Sequence, residues 1–386
     1  MFVDVSCSQE TKRGQNTSGD FFVSRRHIDE GRVLAVLSDG LGSGVKASIL
    51  SRMTATMLLG FVEERTDLRT AAELVIRSLP VCKARGLNYS TFSVLDCDDE
   101  GRVRVLEEGN PEFLWFRGGL PLHAPFDLLD SEAFPDRRMR LYEFEVLEGD
   151  RLIFVTDGVT QAGLGRPGPK NPGLGRQGLS DFVSALLQRH CVIDSQRLAK
   201  HLTSMAVGLF PDRLPTDDVS AAVAHFRVPR RCLVFTGPPF ERSRDPYYAE
   251  AFAAFKGPKA ICGGTTAQFL ARELNLLIKV GQGRGGGLPP ESAMEGVELV
   301  TEGLLTLTRA IQYLETNDLR RPDPAGALVR FMLAHDIIHV MEGTAVNVAN
   351  FDPSQTHDLD IRRNVIKRMA QVLQTRHLKM VRVQRV

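Results

Sequence analysis

The six cysteines are scattered, at Cys7, Cys82, Cys97, Cys191, Cys232 and Cys262, with no C-x-x-C pair among them. That spacing excludes a zinc ribbon and a dithiol redox motif, and most of the six read as small buried hydrophobes, as Cys232 does at the head of an apolar run. Charge of one sign is also lacking. With 48 basic and 47 acidic side chains the net charge is +1, which gives no electrostatic reason to expect nucleic acid or a membrane surface as partner. The local cluster Arg137-Arg138-Met139-Arg140 reads as a solvated face. No apolar run approaches the roughly 20 residues that span a bilayer. The opening Met1–Cys7 has neither the basic start nor the apolar core of a secretory leader, so the cytoplasm is the expected compartment.

What remains is an ordinary globular composition, 43% hydrophobic and 25% charged, in a chain of 386 residues. That length exceeds the usual size of one domain and predicts two. The chain is organised around Leu34–Ser48. The apolar run Leu34-Ala35-Val36-Leu37 has the texture of a buried strand, and Asp39 follows at its end. Gly40, Gly42 and Gly44 come next, then a run with helical spacing. A carboxylate at a strand end beside glycines, which free the backbone for close approach, suits a hard cation. A second strand-Asp-Gly unit stands at Leu152–Gly158, a third acidic unit at Thr216-Asp217-Asp218-Val219-Ser220, and Ser18-Gly19-Asp20 precedes the first of these strands. A single Asp-Gly reads as a turn. Four acidic units, each at a strand edge, predict a carboxylate cluster assembled from distant parts of the chain.

Residues 2–6 alternate as an opening strand, Lys12–Ser18 is a polar loop, and a hairpin turning at Asp29-Glu30-Gly31 feeds Asp39. Ile49, Met53, Met57, Leu58 and Phe61 recur at helical spacing, and a second helix is expected near Arg69–Leu79. Short strands follow at Thr91–Asp96, Arg102–Glu107 and Glu112–Arg117. Leu141–Val146 and Arg151–Thr156 form an expected pair joined at Glu148-Gly149-Asp150. Ala162–Gly178, rich in Gly and Pro, reads as a mobile surface loop, followed by helices at Leu179–His190 and Ser195–Leu209 and a strand at Ala221–Phe226. Val228-Pro229-Arg230-Arg231 is the expected boundary between domains 1–228 and 229–386. Beyond it, strand-loop-helix alternation predicts a small α/β domain. It includes strands at Lys259–Cys262 and Leu276–Val280, a loop from Gly281 to Pro290, a long helix over Val300–Leu314 and a last one over Ile361–Thr375.

The ordered set S-G-D-F, S-D-G-x-G-x-G-x-x-A, T-D-G-x-x-x-A and D-D-x-S resembles the metal-dependent type 2C serine/threonine protein phosphatases, and most of all their bacterial sporulation stage II E-like branch. The resemblance covers about residues 1–228. It implies an α+β fold, an α-β-β-α sandwich of two mainly antiparallel sheets flanked by helices, with the smaller α/β domain after it. It also implies two divalent cations, Mn2+ or Mg2+, which carboxylate-and-water sites accept alike. In that scheme Asp39 bridges the metals, the Gly40 carbonyl ligates one, and Asp157 and Asp217 complete the first site. Asp20 serves the second, and Asp218 plays a supporting part. Asp39 and Asp157 are the residues without which turnover ends. A metal-activated water attacks phosphoserine or phosphothreonine in line, and the implied substrate is a phosphorylated protein, with partner-switching regulators as the reasonable class. Some relatives hold substrate phosphate with an N-terminal arginine. Arg13, Arg25 and Arg26 are near in sequence, and no motif chooses among them.

Two further features carry weaker signals. His335-Asp336-Ile337-Ile338-His339 echoes a zinc-protease H-E-x-x-H, but the β-branched pair favours a strand and hence a structural pair of histidines. Cys262-Gly263-Gly264-Thr265-Thr266 before a helix could offer its backbone amides to an anion. It lacks the P-loop lysine, and an ordinary strand-to-helix turn reads it equally well. The leading expectation is a protein phosphatase with a C-terminal ligand- or partner-sensing domain. The alternatives are a degenerate phosphatase fold that only binds, which the intact carboxylates argue against, and a C-terminal domain with its own activity on a small phosphate compound.

Overall fold

The structure, a computed structural model, describes every residue except 79–89, 133, 135–136, 165–172, 282–286 and 346–356. Cys82 lies outside the described residues. The chain divides into two units, Met1–Val228 and Pro229–Val386.

In the first unit the chain runs through β1 (Phe2–Glu10), β2 (Asp20–His27), β3 (Arg32–Gly40), α1 (Val45–Glu63), α2 (Leu68–Ser78), β4 (Ser90–Asp98) and β5 (Arg102–Glu108). Then come β6 (Leu114–Arg117), β7 (Leu120–Leu122), β8 (Phe126–Asp130), β9 (Arg138–Glu145), β10 (Arg151–Val155), α3 (Asp157–Thr160), α4 (Gly175–Arg189), α5 (Ser195–Gly208) and β11 (Val219–Arg227). Two antiparallel sheets result, ordered β1-β11-β10-β6-β7 and β2-β3-β4-β5-β9-β8. Their central strands are buried on both faces, and alternation along each sorts its side chains between two layers. Val33, Ala35 and Leu37 of β3 meet Leu152, Phe154, Ala222 and Ala224 between the sheets. Leu34 and Val36 face outward beneath α1 and α2, against Ala55, Leu58, Leu59 and Val75. On the other side, Ile153 and Val155 of β10 lie beneath α4 and α5, against Leu179, Val183, Leu198 and Leu202. This is the four-layer sandwich, with helices outside and two sheets within. Helix α1, at 19 residues, is by length and composition apolar enough to cross a membrane, contrary to the expectation of no such run. Its buried side is the cover of the second sheet just described.

The expected hairpin of residues 141–146 and 151–156 does not form. β9 pairs with β5 and β8, whereas β10 pairs with β11 and β6 in the other sheet. The connecting Glu148-Gly149-Asp150 does make a tight turn, closed by the Asp150 amide on the Leu147 carbonyl (3.1 Å), but the turn carries the chain from one sheet to the other instead of closing a hairpin. Asp150 is fully buried, and its carboxylate accepts hydrogen bonds from Trp115 Nε1 (3.0 Å), Arg117 Nε (2.8 Å) and the Leu147 amide (2.9 Å). The Arg137–Arg140 cluster is also not a solvated face. Arg137 forms a largely buried ion pair with Glu108, and Arg140 donates to the Asn110 carbonyl (2.8 Å), leaving Arg138 exposed. Of the loop expected over 162–178, residues 165–172 lie outside the described residues, and Gly175–Gly178 already belong to α4.

The second unit comprises β12 (Arg231–Thr236), α6 (Asp245–Ala254), β13 (Lys259–Cys262), α7 (Gly264–Leu274), β14 (Ile278–Val280), β15 (Ser292–Met294) and β16 (Val297–Thr301). It ends with α8 (Leu304–Thr316), α9 (Pro324–Leu333), β17 (Ile337–Glu342), α10 (His357–His377) and β18 (Met380–Arg385). One sheet has the order β14-β15-β16-β13-β12-β17-β18, with β16, β13, β12, β17 and β18 mutually parallel. Helices α6 and α7 cover one face through Tyr248, Phe252, Phe269 and Leu270. Helices α8, α9 and α10 cover the other through Leu307, Leu314, Val329 and Met369. Asp323 caps α9 by accepting from the Gly326 amide at 2.7 Å, with Pro324 at the first helical position. The helix expected from Val300 starts four residues later. Val300 and Thr301 extend the parallel ladder beside β13 to the end of the strand, and Gly303 stands at the N-cap of α8. Part of the loop expected over 281–290 lies outside the described residues. His339 lies on β17 against Phe255, but His335 precedes the strand and its Nδ1 lies 2.7 Å from the Phe331 carbonyl.

Candidate active site at the strand ends

The four acidic units come together at one end of the first unit's two sheets, and the strand pairing explains how. Asp20 opens β2 and is the register partner of Asp39, at the end of β3. In the other sheet β10 and β11 are antiparallel, so the exit of β10, where Asp157 begins α3, lies beside the entrance of β11, where Asp217 and Asp218 stand. Two glycines allow this proximity. A Cβ at Gly158 would lie 2.0 Å from the Asp218 carbonyl oxygen, and one at Gly40 would lie 2.1 Å from that of Ala47. Both are contacts that a methyl group cannot make.

Hydrogen bonds join the two sheets here. Thr156 Oγ1, in the first sheet's strand-end segment, donates to Asp20 Oδ2 in the second at 2.8 Å, and Ser220 Oγ donates to the same oxygen at 2.5 Å. The Ser220 amide in turn donates to Thr156 Oγ1 (3.1 Å). Asp20 is only 4% exposed, and its other oxygen, Oδ1, is buried with no hydrogen-bond partner among the described residues. Asp157 Oδ2 accepts from Gln161 Nε2 at 2.9 Å, one helical turn on. Asp218 has a different task. Both its oxygens are engaged by backbone, Oδ1 by the Lys12 amide (2.9 Å) and Oδ2 by the Gly19 amide (2.8 Å), so it braces the loop that delivers Asp20. Asp217 is half-buried, with Lys12 Nζ 3.8 Å from its Oδ1.

The cluster is short of positive charge. Burial and then the carboxylates of Asp20, Asp157 and Asp217 push the Asp39 carboxyl far above the usual range. Burial pushes Asp20 up as well, against the opposing effect of the Ser220 and Thr156 hydroxyls. Asp217 rises through burial and Asp157, partly offset by Lys12. An orphaned buried carboxylate oxygen, four mutually repelling carboxylates and an all-oxygen donor set fit hard divalent cations. Among the described residues no three acidic, His or Cys side chains already converge on one metal position. The cluster gathers donors of the right kind without holding them in coordination geometry.

Thr156, Ser220, Gln161 and Lys12 were missed by the sequence argument. The first two sit inside the motifs themselves, as the T of T-D-G and the S of D-D-x-S. Of the arginines considered for phosphate, Arg25 pairs with Glu63 at 2.6 Å and the Arg26 guanidinium lies over the Phe2 ring. The Arg13 amide donates to the Pro215 carbonyl (2.9 Å). In the second unit, Gly264 and Thr265 are exposed in the first turn of α7, whereas Thr266 is buried and its Oγ1 accepts from the Gly237 amide at 2.8 Å.

A family profile described as "Stage II sporulation protein E (SpoIIE)" matches residues 29–227, a span that includes Asp39, Gly40, Asp157, Asp217 and Asp218 and leaves Asp20 just outside. No curated protein matches the chain. Among solved structures, similarity extends to the PP2C phosphatase domain with a fragment of the regulatory domain of SpoIIE from Bacillus subtilis. Identity there is 20% and the TM-score 0.48, over 58% of this chain and 62% of that one. The chain thus spans less than two thirds of that relative. The RsbU and RsbW domains of a Mycobacterium tuberculosis protein match at 17% identity and TM-score 0.46, over 65% of this chain and 67% of theirs. The serine/threonine phosphatase PstP/Ppp of the same organism matches at 13% and 0.40, over 59% of this chain and 100% of that one.

Proposed function

Because the chain belongs to the stage II sporulation protein E (SpoIIE) family, we propose that it is a metal-dependent protein phosphatase acting on phosphoserine or phosphothreonine of a regulatory protein, with its second unit regulating the first. The supporting observation is the meeting of four strand-end carboxylates, Asp20, Asp39, Asp157 and Asp217, in the part of the chain that carries the family's motifs.

Asp39, Asp157 and Asp217, with the Gly40 carbonyl, would hold one divalent cation, and Asp39 with Asp20 the other. When bound, such a pair of ions supplies an activated water and neutralises charge on the phosphoryl group. The chain's own residues prepare the site. Thr156 and Ser220 occupy Asp20 Oδ2, which leaves Oδ1 as its free ligand atom. Gln161 orients the Asp157 carboxylate from the next helical turn. Asp218, saturated by two backbone amides, fixes the loop ahead of Asp20 and is a positioning residue. Lys12, a third exposed at the rim, offers a positive charge where a phosphate monoester would arrive. A second, purely binding role is disfavoured by the intact carboxylates, since a degenerate site has no use for four charges that repel.

The test is hydrolysis of a generic phosphate ester with manganese. Turnover by the wild type, lost in both Asp39→Ala and Asp157→Asn, supports the reading. Turnover that survives both substitutions at saturating metal overturns it.

A further inference from the structure

The parallel strands of the second unit run β16-β13-β12-β17-β18 across the sheet. From β12 the chain winds outward through β13 to β16 with α6 and α7 on one face. It then returns to β17 and winds the other way to β18 with α10 on the opposite face. The connections leaving β12 and β17 therefore take opposite faces, and a switch point lies at the carboxyl ends of these two strands, where the first residues of the two connections are joined. In open α/β sheets this switch point is where ligands bind. Beside these joined loops lies a cavity of about 290 Å³, walled by the segment after β12 (Phe240, Glu241, Arg244), by Tyr248 of α6, by Thr344 after β17 and by Arg385 at the end of β18.

Its walls specify a ligand. Arg244 and Arg385 supply two guanidinium groups whose carboxylate neighbours, Glu241 at 3.8 Å and Glu342 at 3.5 Å, are too far for hydrogen bonds of normal length. Their donors stay available to an anion. Tyr248 is 8% exposed, and its hydroxyl has no hydrogen-bond partner among the described residues. Phe240 is 70% exposed at the cavity, a flat apolar face in water. A dinucleotide does not suit the site. The loop Gly237-Pro238-Pro239 lacks the glycines that admit a pyrophosphate. It is also sewn to the loop after β17, where a Cβ at Gly343 would lie 2.1 Å from the Gly237 carbonyl oxygen and the Ala345 amide donates to Pro238 (3.1 Å). Helix α6 opens with Asp245, whose buried carboxylate, paired with Arg272, occupies that terminus, so the side-chain guanidiniums carry the recognition. The volume is at the small end of the roughly 300–1,000 Å³ of ligand sites.

We propose that the switch-point cavity of the second unit binds a small phosphate monoester carrying a flat ring, of nucleoside monophosphate size, with Arg244 and Arg385 on the phosphate and Phe240 against the ring. This deepens the regulatory role proposed for the second unit and rests on no activity of the first.

The experiment is isothermal titration calorimetry on the full chain with EDTA present, so that the carboxylate cluster of the first unit is metal-free and repels anions. The probes are the monophosphates of adenosine, guanosine, cytidine and uridine, with adenosine and inorganic phosphate alone as controls. We expect saturable binding of at least one monophosphate. The affinity should fall about tenfold or more in Arg244→Ala and in Arg385→Ala, and severalfold in Phe240→Ala. All three side chains are largely exposed, so these variants fold. Binding of none of the four overturns the proposal, as does unchanged affinity in the double arginine variant. Equal affinity for adenosine overturns the arginine role, and equal affinity for inorganic phosphate overturns the ring.

Discussion

Removing the Ser220 hydroxyl tests whether Asp20 belongs to the working site. Ser220 Oγ and Thr156 Oγ1 are the two donors to Asp20 Oδ2, at 2.5 and 2.8 Å, and the carboxylate is 4% exposed. A hydrogen bond to a charged group is worth about 1.5–3 kcal/mol. If Asp20 binds a cation through Oδ1, losing one donor weakens metal binding by about 2 kcal/mol, or roughly 30-fold. That falls within the 10–100-fold typical of residues that support a metal ligand. Ser220→Ala should therefore raise the manganese concentration for half-maximal activity by about that factor while saturating activity largely recovers, and Thr156→Val should behave similarly. The hydroxyls also hold the Asp20 carboxyl down, and a protonated carboxyl cannot bind metal. The acid limb of the pH–activity curve should accordingly shift to higher pH in Ser220→Ala. A manganese titration of phosphate release at several pH values reads both effects. Unchanged metal dependence and an unmoved acid limb, in both variants, would refute the reasoning.

Three other outcomes follow from the geometry. Gly158→Ala drives a methyl into the Asp218 carbonyl at 2.0 Å and should cost at least about 2 kcal/mol in urea unfolding, with loss of activity beyond the loss of fold. Burial and neighbouring carboxylates raise Asp39 and Asp20 in the folded state. Their contribution to the stability of the metal-free protein is full below the unfolded carboxylate range near 4 and is lost as pH rises through the raised values. Added manganese should then raise the melting temperature more at pH 8 than at pH 5, and an equal shift at both would contradict this. In the second unit, fully buried Asp336 accepts from the Arg230 amide (2.7 Å) and guanidinium (3.1 Å) and lies 3.9 Å from Lys379 Nζ. Asp336→Ala leaves those charges without their buried partner and should destabilise that unit by about 3 kcal/mol or more, read by chemical denaturation.

The carboxylate cluster was legible in the sequence because its close approaches constrain residues within a few positions of each carboxylate. A strand must end at Asp39, and Gly40 must lack a side chain to approach Ala47. Both demands are written within a few positions. The crossing at Glu148-Gly149-Asp150 was not, because a turn that closes a hairpin and a turn that passes between sheets share the same Gly-Asp chemistry. Only the distant Trp115 and Arg117, which bury Asp150, distinguish them. The Arg137–Arg140 cluster was misread for the same reason, since its partners Glu107 and Glu108 lie thirty residues upstream on a neighbouring strand. Val300 carried apolar periodicity compatible with either state, and tertiary pairing with β13 made it a strand. The switch point between β12 and β17 depends on the order of strands in the sheet, which no local pattern encodes.

The most direct test of the central claim is steady-state hydrolysis of a phosphoserine or phosphothreonine peptide at saturating manganese, comparing wild type with Asp39→Ala. The account predicts metal-dependent phosphate release by the wild type and a collapse of kcat in the variant that no substrate concentration restores. A variant that keeps its kcat and only raises KM would contradict it, because Asp39 would then be holding the substrate rather than the machinery that cleaves it.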